Sequence, residues 1–169
     1  MKKLIVLKSL VDYTWIISCI PLLVALPVIV VWMFFDTKLI EKLNLVSSES
    51  TSTELVYAMF YVILLSVLVY IGIYCFYLFR KTLRYFQRSK PFHHDVIQNF
   101  NKIGKLLNVI GIVGCLGIFL GQFILTDSVS ITFGFSPYVM IICLGLFFMV
   151  LSELFKGAKV AKEENELTI

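Results

Sequence analysis

The sequence predicts an all-α integral membrane protein: one bundle of four membrane-crossing helices, with both chain ends on the cytoplasmic side. Three observations carry that expectation. Apolar residues make up 59% of the chain and charged residues 15%, against about 25% charged in a soluble domain, so too few polar groups exist to coat a soluble surface. Four long apolar runs, at 13–35, 57–79, 103–125 and 138–155, approach or reach the about 20 residues with which a helix crosses a ~30 Å hydrocarbon core. The basic residues, finally, gather in three of the five segments outside those runs. At 169 residues, the whole chain is a single membrane unit with no room for a second sizeable domain.

The first run follows Lys2 and Lys3, as a secretory signal would. It exceeds the ~7–15 apolar residues of a signal core, and no small-residue cleavage site follows it, so it is read as a retained span. Pro21 and Pro27 interrupt it; each removes an N–H donor and requires a neighbour to satisfy the freed carbonyl. They mark either a fixed kink that fits the bundle or a moving hinge. In the first outer loop Leu39, Ile40 and Leu43 oppose Glu41 and Lys42, the pattern of a short interfacial helix. A Ser/Thr-rich connection over 47–53 follows.

The second run passes into Arg80, Lys81, Arg84 and Arg88, which predicts a basic continuation of the same helix within an inner loop spanning 80–102. Pro91 ends it, because the residue before proline avoids helical geometry. A new helix is expected to start near His93, since Val96, Ile97, Phe100, Ile103 and Leu107 recur at helical spacing and lead into the third run. In that run Gly104, Gly111, Gly114, Gly117 and Gly121 share one stripe. Small residues let helix backbones approach closely in lipid; the stripe receives either another helix of this chain or a second copy in a homodimer. The second outer loop alternates Val129, Ile131, Phe133 and Phe135 with small polar residues or glycine, which predicts a short extended segment. Ser136 and Pro137 read as the cap and first position of the last helix, and a charged tail occupies 156–169.

Orientation follows from Lys and Arg placement, because cytoplasmic segments retain positive charge. Thirteen of the fifteen basic residues lie before the first run, between or beside the second and third (Lys105 sits just inside the third), or after the fourth. Both termini are therefore expected inside.

The sequence offers little for chemistry. No catalytic, cofactor-binding or metal-ligating set is expected, and the chain is read as not an enzyme. Cys19, Cys75, Cys115 and Cys143 are scattered through apolar runs, unlike the clustered ligands of a metal site. The adjacent His93 and His94, followed by Asp95, lack the spacing of a metal motif. Glu153 is the one acidic group inside the fourth run, close enough to Lys156 to be an interfacial residue; a functional role for it stays open. The formal charge of +4 is not that of a nucleic-acid-binding surface, so the lipid bilayer, and no direct nucleic acid, is the expected environment.

The tail Leu154-Phe155-Lys156-Gly157-Ala158, then Lys162-Glu163-Glu164-Asn165-Glu166-Leu167-Thr168-Ile169, resembles the ending of a bacterial membrane family catalogued as domain of unknown function twenty-nine seventy-five. Pro91-Phe92, the helix after it and Ile103-Gly104 are similar to that family's pattern too, and the likeness extends over nearly the whole chain. The resemblance implies four spans and a bacterial plasma membrane, with no established activity. It also implies a partner, because genes of the family often lie beside one for a small helix-turn-helix DNA-binding regulator. The expected function is then that of a regulatory or accessory membrane partner. Candidate contact residues are Arg84, Arg88, Pro91 and Phe92 in the inner loop and Glu163, Glu164, Asn165, Thr168 and Ile169 in the tail. The alternative is a small transporter or channel subunit, against which stands the lack of charged groups at mid-membrane.

Overall fold

The computed structural model describes residues 2–35, 52–88, 91–126 and 136–167, all in helices apart from short turns. The interfacial helix expected at 39–43, the extended segment expected at 129–135, and Thr168 and Ile169 lie outside the described residues. The first helix is α1 (Lys2–Thr14), continued through a π-helical turn (Trp15–Cys19) into α2 (Ile20–Phe35). Next come α3 (Ser52–Gln87), α4 (His94–Thr126) and α5 (Pro137–Leu167). Among the described residues there is no strand, and four stretches are long and apolar enough to cross a membrane: Leu4–Phe35, Val56–Gln87, His94–Gly121 and Pro137–Glu166.

The helix boundaries have local causes. Proline at the first position of α5 sacrifices no hydrogen bond, and the Ser136 carbonyl accepts the N–H of Val139 at 3.0 Å. At the end of α3 the N–H of Arg88 is shared between the carbonyls of Arg84 and Tyr85, shortly before Pro91. The 36 residues of α3 extend about 54 Å at ~1.5 Å each, so the helix outruns the hydrocarbon core. Its last two turns are the basic extension over 80–87. Likewise α5 runs unbroken through the charged tail to Leu167.

The two prolines of the first helix are accommodated differently. Pro27 cannot donate to the carbonyl of Leu23, four residues earlier, and the hydroxyl of Tyr70 on α3 donates to that oxygen instead, at 3.1 Å. Immediately before Pro21 the helix widens into the π turn, closed by the Ile20 N–H on the Trp15 carbonyl. A π turn changes which carbonyls need a donor, so the missing N–H of Pro21 falls where the helix has already shifted register.

The helices pack in chain order. The first lies against α3, α3 against α4, and α4 most extensively against α5. Large apolar side chains remain exposed along all four, with Phe60 75% and Ile16 58% accessible, as suits a surface solvated by lipid tails. Since lipid is as apolar as leucine, close backbone approach must supply the association inside the bilayer. The α4 glycines provide it. A Cβ on Gly104 would stand 2.7 Å from the carbonyl oxygen of Gly145, and one on Gly145 would stand 2.8 Å from that of Gly104. Gly111 and Gly114 face Ile142 and Tyr138 of α5, Gly117 faces Leu64 of α3, and Gly121 has open space around it.

A large share of the buried residues lies at one end of the bundle. Leu78, Thr82 and Leu83 of α3, Val96, Ile97, Phe100 and Ile103 of α4, and Ser152 of α5 are all buried there. The helix-period apolar set that precedes the third run thus forms a core where α3, α4 and α5 leave the bilayer.

Candidate functional site

Apolar packing alone does not hold this basic end, where residues 80–88, 91–105 and 152–166 gather. At its centre is a cluster of phenylalanines. Phe155 of α5 packs against Phe86 (ring centroids 5.6 Å), Phe92 (6.0 Å) and Phe100 (5.6 Å). Phe148, two turns earlier on α5, stacks on Phe100 and meets the edge of Phe79. Offset and edge-on ring pairs add about 0.5–1.5 kcal/mol each beyond their area, so Phe155 ties the turn between α3 and α4 to the start of the tail. The buried Ser152 hydroxyl donates to the carbonyl of Ile97 at 2.8 Å, fixing the register of α5 on α4 one turn away.

A polar clasp closes the α3–α4 turn. The Tyr85 hydroxyl donates to the carboxylate of Asp95, and the ring of His93 stacks on that of Tyr85 at 5.0 Å. The Nδ1 of His93 accepts the backbone N–H of Asp95 at 3.2 Å, so this histidine caps the first turn of α4 by its own ring. His94 points elsewhere, its Nε2 2.8 Å from the amide nitrogen of Gln98. Adjacent histidines on a helix diverge by about 100°, and among the described residues no three metal-capable side chains lie together.

On the first helix, the carboxylate of Asp12 accepts from Nε of Arg80. The guanidinium carbon of Arg80 sits 5.8 Å from the centroid of the Trp15 ring, and that ring is stacked parallel to Phe76 at 6.3 Å. A cation over an indole face gains about 0.5–2 kcal/mol depending on desolvation. Asp12 and Arg80 were not among the expected site residues. They are separated by 68 positions, yet two sequence signals point to them. Asp12 is the one acid before residue 36, and Arg80 is the first charge after the second apolar run. An antiparallel helix pair brings those two boundaries to the same level.

The expected partner-contact residues divide between two places. Pro91, Phe92 and His93 from the turn, with Lys159, Lys162, Glu163 and Glu166 from the tail, line a crevice of about 250 Å³. Lys159 and Lys162 lie 3.5 Å from Glu163 and Glu166 respectively, each four residues on. Glu164 and Asn165 follow on the same exposed helix. Arg84 and Arg88 belong instead to a separate groove of about 160 Å³ with Lys81 and Tyr85. Glu153 is exposed on α5. Sequence reasoning also missed Gly145 and Asn108 on the α4–α5 contact. The Asn108 amide donates to the sulfur of Met149 at 3.5 Å, and its oxygen stands 2.5 Å from where a Gly145 Cβ would be.

Four long apolar helices with lipid-exposed faces and one structured polar end define a multi-pass helical membrane protein. The chain belongs to the family described as Protein of unknown function (DUF2975), whose model matches residues 9–169. No curated protein and no solved structure matches the chain. The Pro91-Phe92 turn and the tail around Phe155 meet in space through the contact of Phe92 with Phe155.

Proposed function

We propose that this chain is a non-enzymatic regulatory protein of the bacterial plasma membrane, with both termini cytoplasmic, that holds a small helix-turn-helix DNA-binding regulator at its basic end. The observation that carries the reading is the crevice between the Pro91–His93 turn and the tail helix. It offers an aromatic floor at Phe92 beside a helix that presents Glu163 and Glu166. The concentration of lysine and arginine at this end favours the cytoplasmic side.

The electrostatics suit such a partner. The lysine–glutamate pairs of the tail are exposed and four residues apart, a class worth about 0.3–0.5 kcal/mol each. Arginines on a regulator's DNA-reading face replace those lysines at little cost, because a planar guanidinium grips a carboxylate with two hydrogen bonds. A regulator held in this way has its basic face covered and is kept from DNA.

The test is co-purification. The tagged full chain, crosslinked in cells and solubilised in mild detergent, is expected to recover a small helix-turn-helix protein, at least tenfold more than a chain lacking residues 163–169 does. The double variant Glu163→Lys/Glu166→Lys is expected to reduce recovery to a similar degree, since like charges then face each other. Wild-type chain that brings down no soluble partner, or only copies of itself, would refute the reading.

A further inference from the structure

The basic residues of this end are not equivalent. Arg80 is committed to Asp12 and Trp15, and Lys159 and Lys162 have glutamate partners on their own helix. Lys81, Arg84 and Arg88 have no ion pair with any described residue, and all three are exposed. Lys81 and Arg84, three apart on α3, share one face with Arg88, which directly follows the helix and still bonds its N–H to the Arg84 carbonyl, and with Tyr85 they line a groove of about 160 Å³. The nearby acid, Asp95, is held by the Tyr85 hydroxyl at the groove's edge.

We propose that this groove binds the phosphate of an anionic phospholipid headgroup. Its height on the helix favours a lipid over a soluble ligand. Lys81 follows Phe79, the last residue of the second apolar run, by two positions, and Arg88 lies about 10 Å further along the axis at ~1.5 Å per residue. The cations therefore span the headgroup layer. Two guanidinium groups and an ammonium supply more donors than one phosphate can accept, and arginine matches phosphate geometry with two parallel N–H bonds. The groove is distinct from the crevice by the tail, so lipid binding and partner docking are separable.

The chain carries its own reporter. It has two tryptophans. Trp15 lies against Arg80, the residue before Lys81, and Trp32 stands near the other end of the first helix. In a Trp32→Phe background, the full chain is reconstituted into phosphatidylcholine vesicles containing phosphatidylglycerol, with either lipid brominated on its acyl chains. Brominated phosphatidylglycerol is expected to quench Trp15 more strongly than brominated phosphatidylcholine. Each cation near an anionic surface is worth about fivefold in binding, so Arg84→Gln lowers the preference about fivefold. Lys81→Gln/Arg84→Gln/Arg88→Gln abolishes it, while Lys159→Gln/Lys162→Gln leaves it intact. Should the triple variant fail to reconstitute, Arg84→Gln and Arg88→Gln taken singly still report the same fivefold losses. Equal quenching by the two lipids, preference retained without the three cations, or an equal loss in the tail variant would overturn the site. So would disappearance of the preference when chloride is replaced by inorganic phosphate at constant ionic strength, which would assign the groove to free phosphate.

Discussion

Gly145→Ala lowers the stability of the chain by about 1–3 kcal/mol, the usual cost of overpacking, because it forces α4 and α5 apart. The new methyl would stand 2.8 Å from the carbonyl oxygen of Gly104 and 2.5 Å from Oδ1 of Asn108. A backbone oxygen cannot turn away as a side chain can, so the helices themselves must separate. The loss then reaches beyond the glycine pair, since the same interface carries the Asn108–Met149 contact and, further along, the Ser152 bond to Ile97. Gly104→Ala meets the reciprocal obstacle at 2.7 Å and is expected to cost as much. Gly121→Ala, with nothing within reach of its Cβ, is expected to stay within about 0.5 kcal/mol of wild type. Thermal unfolding in detergent, followed by helical circular dichroism, separates the cases. Equal midpoints for Gly145→Ala and Gly121→Ala would show that the close approach of α4 to α5 is not what holds them.

Arg80→Gln is expected to release the first helix from α3, and to do so more than Asp12→Asn does. The first helix packs chiefly on α3, and the Asp12–Arg80 pair anchors its basic end. Removing Arg80 leaves a half-buried carboxylate at the membrane boundary without its partner, whereas removing Asp12 leaves an arginine that keeps the Trp15 ring and has a long stem to reach water. Truncating one member of an enclosed charge pair is costly mainly for the charge it strands. The expected losses are about 1–3 kcal/mol for Arg80→Gln and less than half of that for Asp12→Asn. The double variant falls between them, so that the single losses sum to more than the double variant shows, by at least the Asp12→Asn loss. Trp15 emission reports the release directly, by shifting as the ring leaves Phe76 and Tyr77. Strictly additive losses would mean that the two residues act independently.

Much of the fold was legible in the sequence because membrane crossing leaves few options. The four helices follow from apolar length, and the core at the basic end follows from Val96, Ile97, Phe100 and Ile103, whose helical spacing needs only one strand of sequence to read. What could not be read depends on register between distant segments. Asp12 and Arg80 become partners only once the first helix and α3 are aligned antiparallel, and the same alignment sends Tyr70 to the carbonyl that Pro27 leaves open at Leu23. The glycine stripe names a face but not its occupant. Its G-x-x-x-G pair, Gly117 and Gly121, is the least engaged part, while the closest approach of one backbone to another uses Gly104 with Gly145. In the candidate site, the turn and the tail were each visible as charged or proline-marked segments. Their meeting through Phe92 and Phe155 required the fold.

The most direct test of partner docking at the basic end places a photo-crosslinking amino acid at position 92 in the full chain, with a control at lipid-exposed position 60, and irradiates intact cells. The expected result is an adduct, formed from position 92 alone, with a small DNA-binding protein of the helix-turn-helix class, and lost in the Glu163→Lys/Glu166→Lys background. Adducts from position 92 with lipid or with the chain itself, and with no soluble protein, would contradict it.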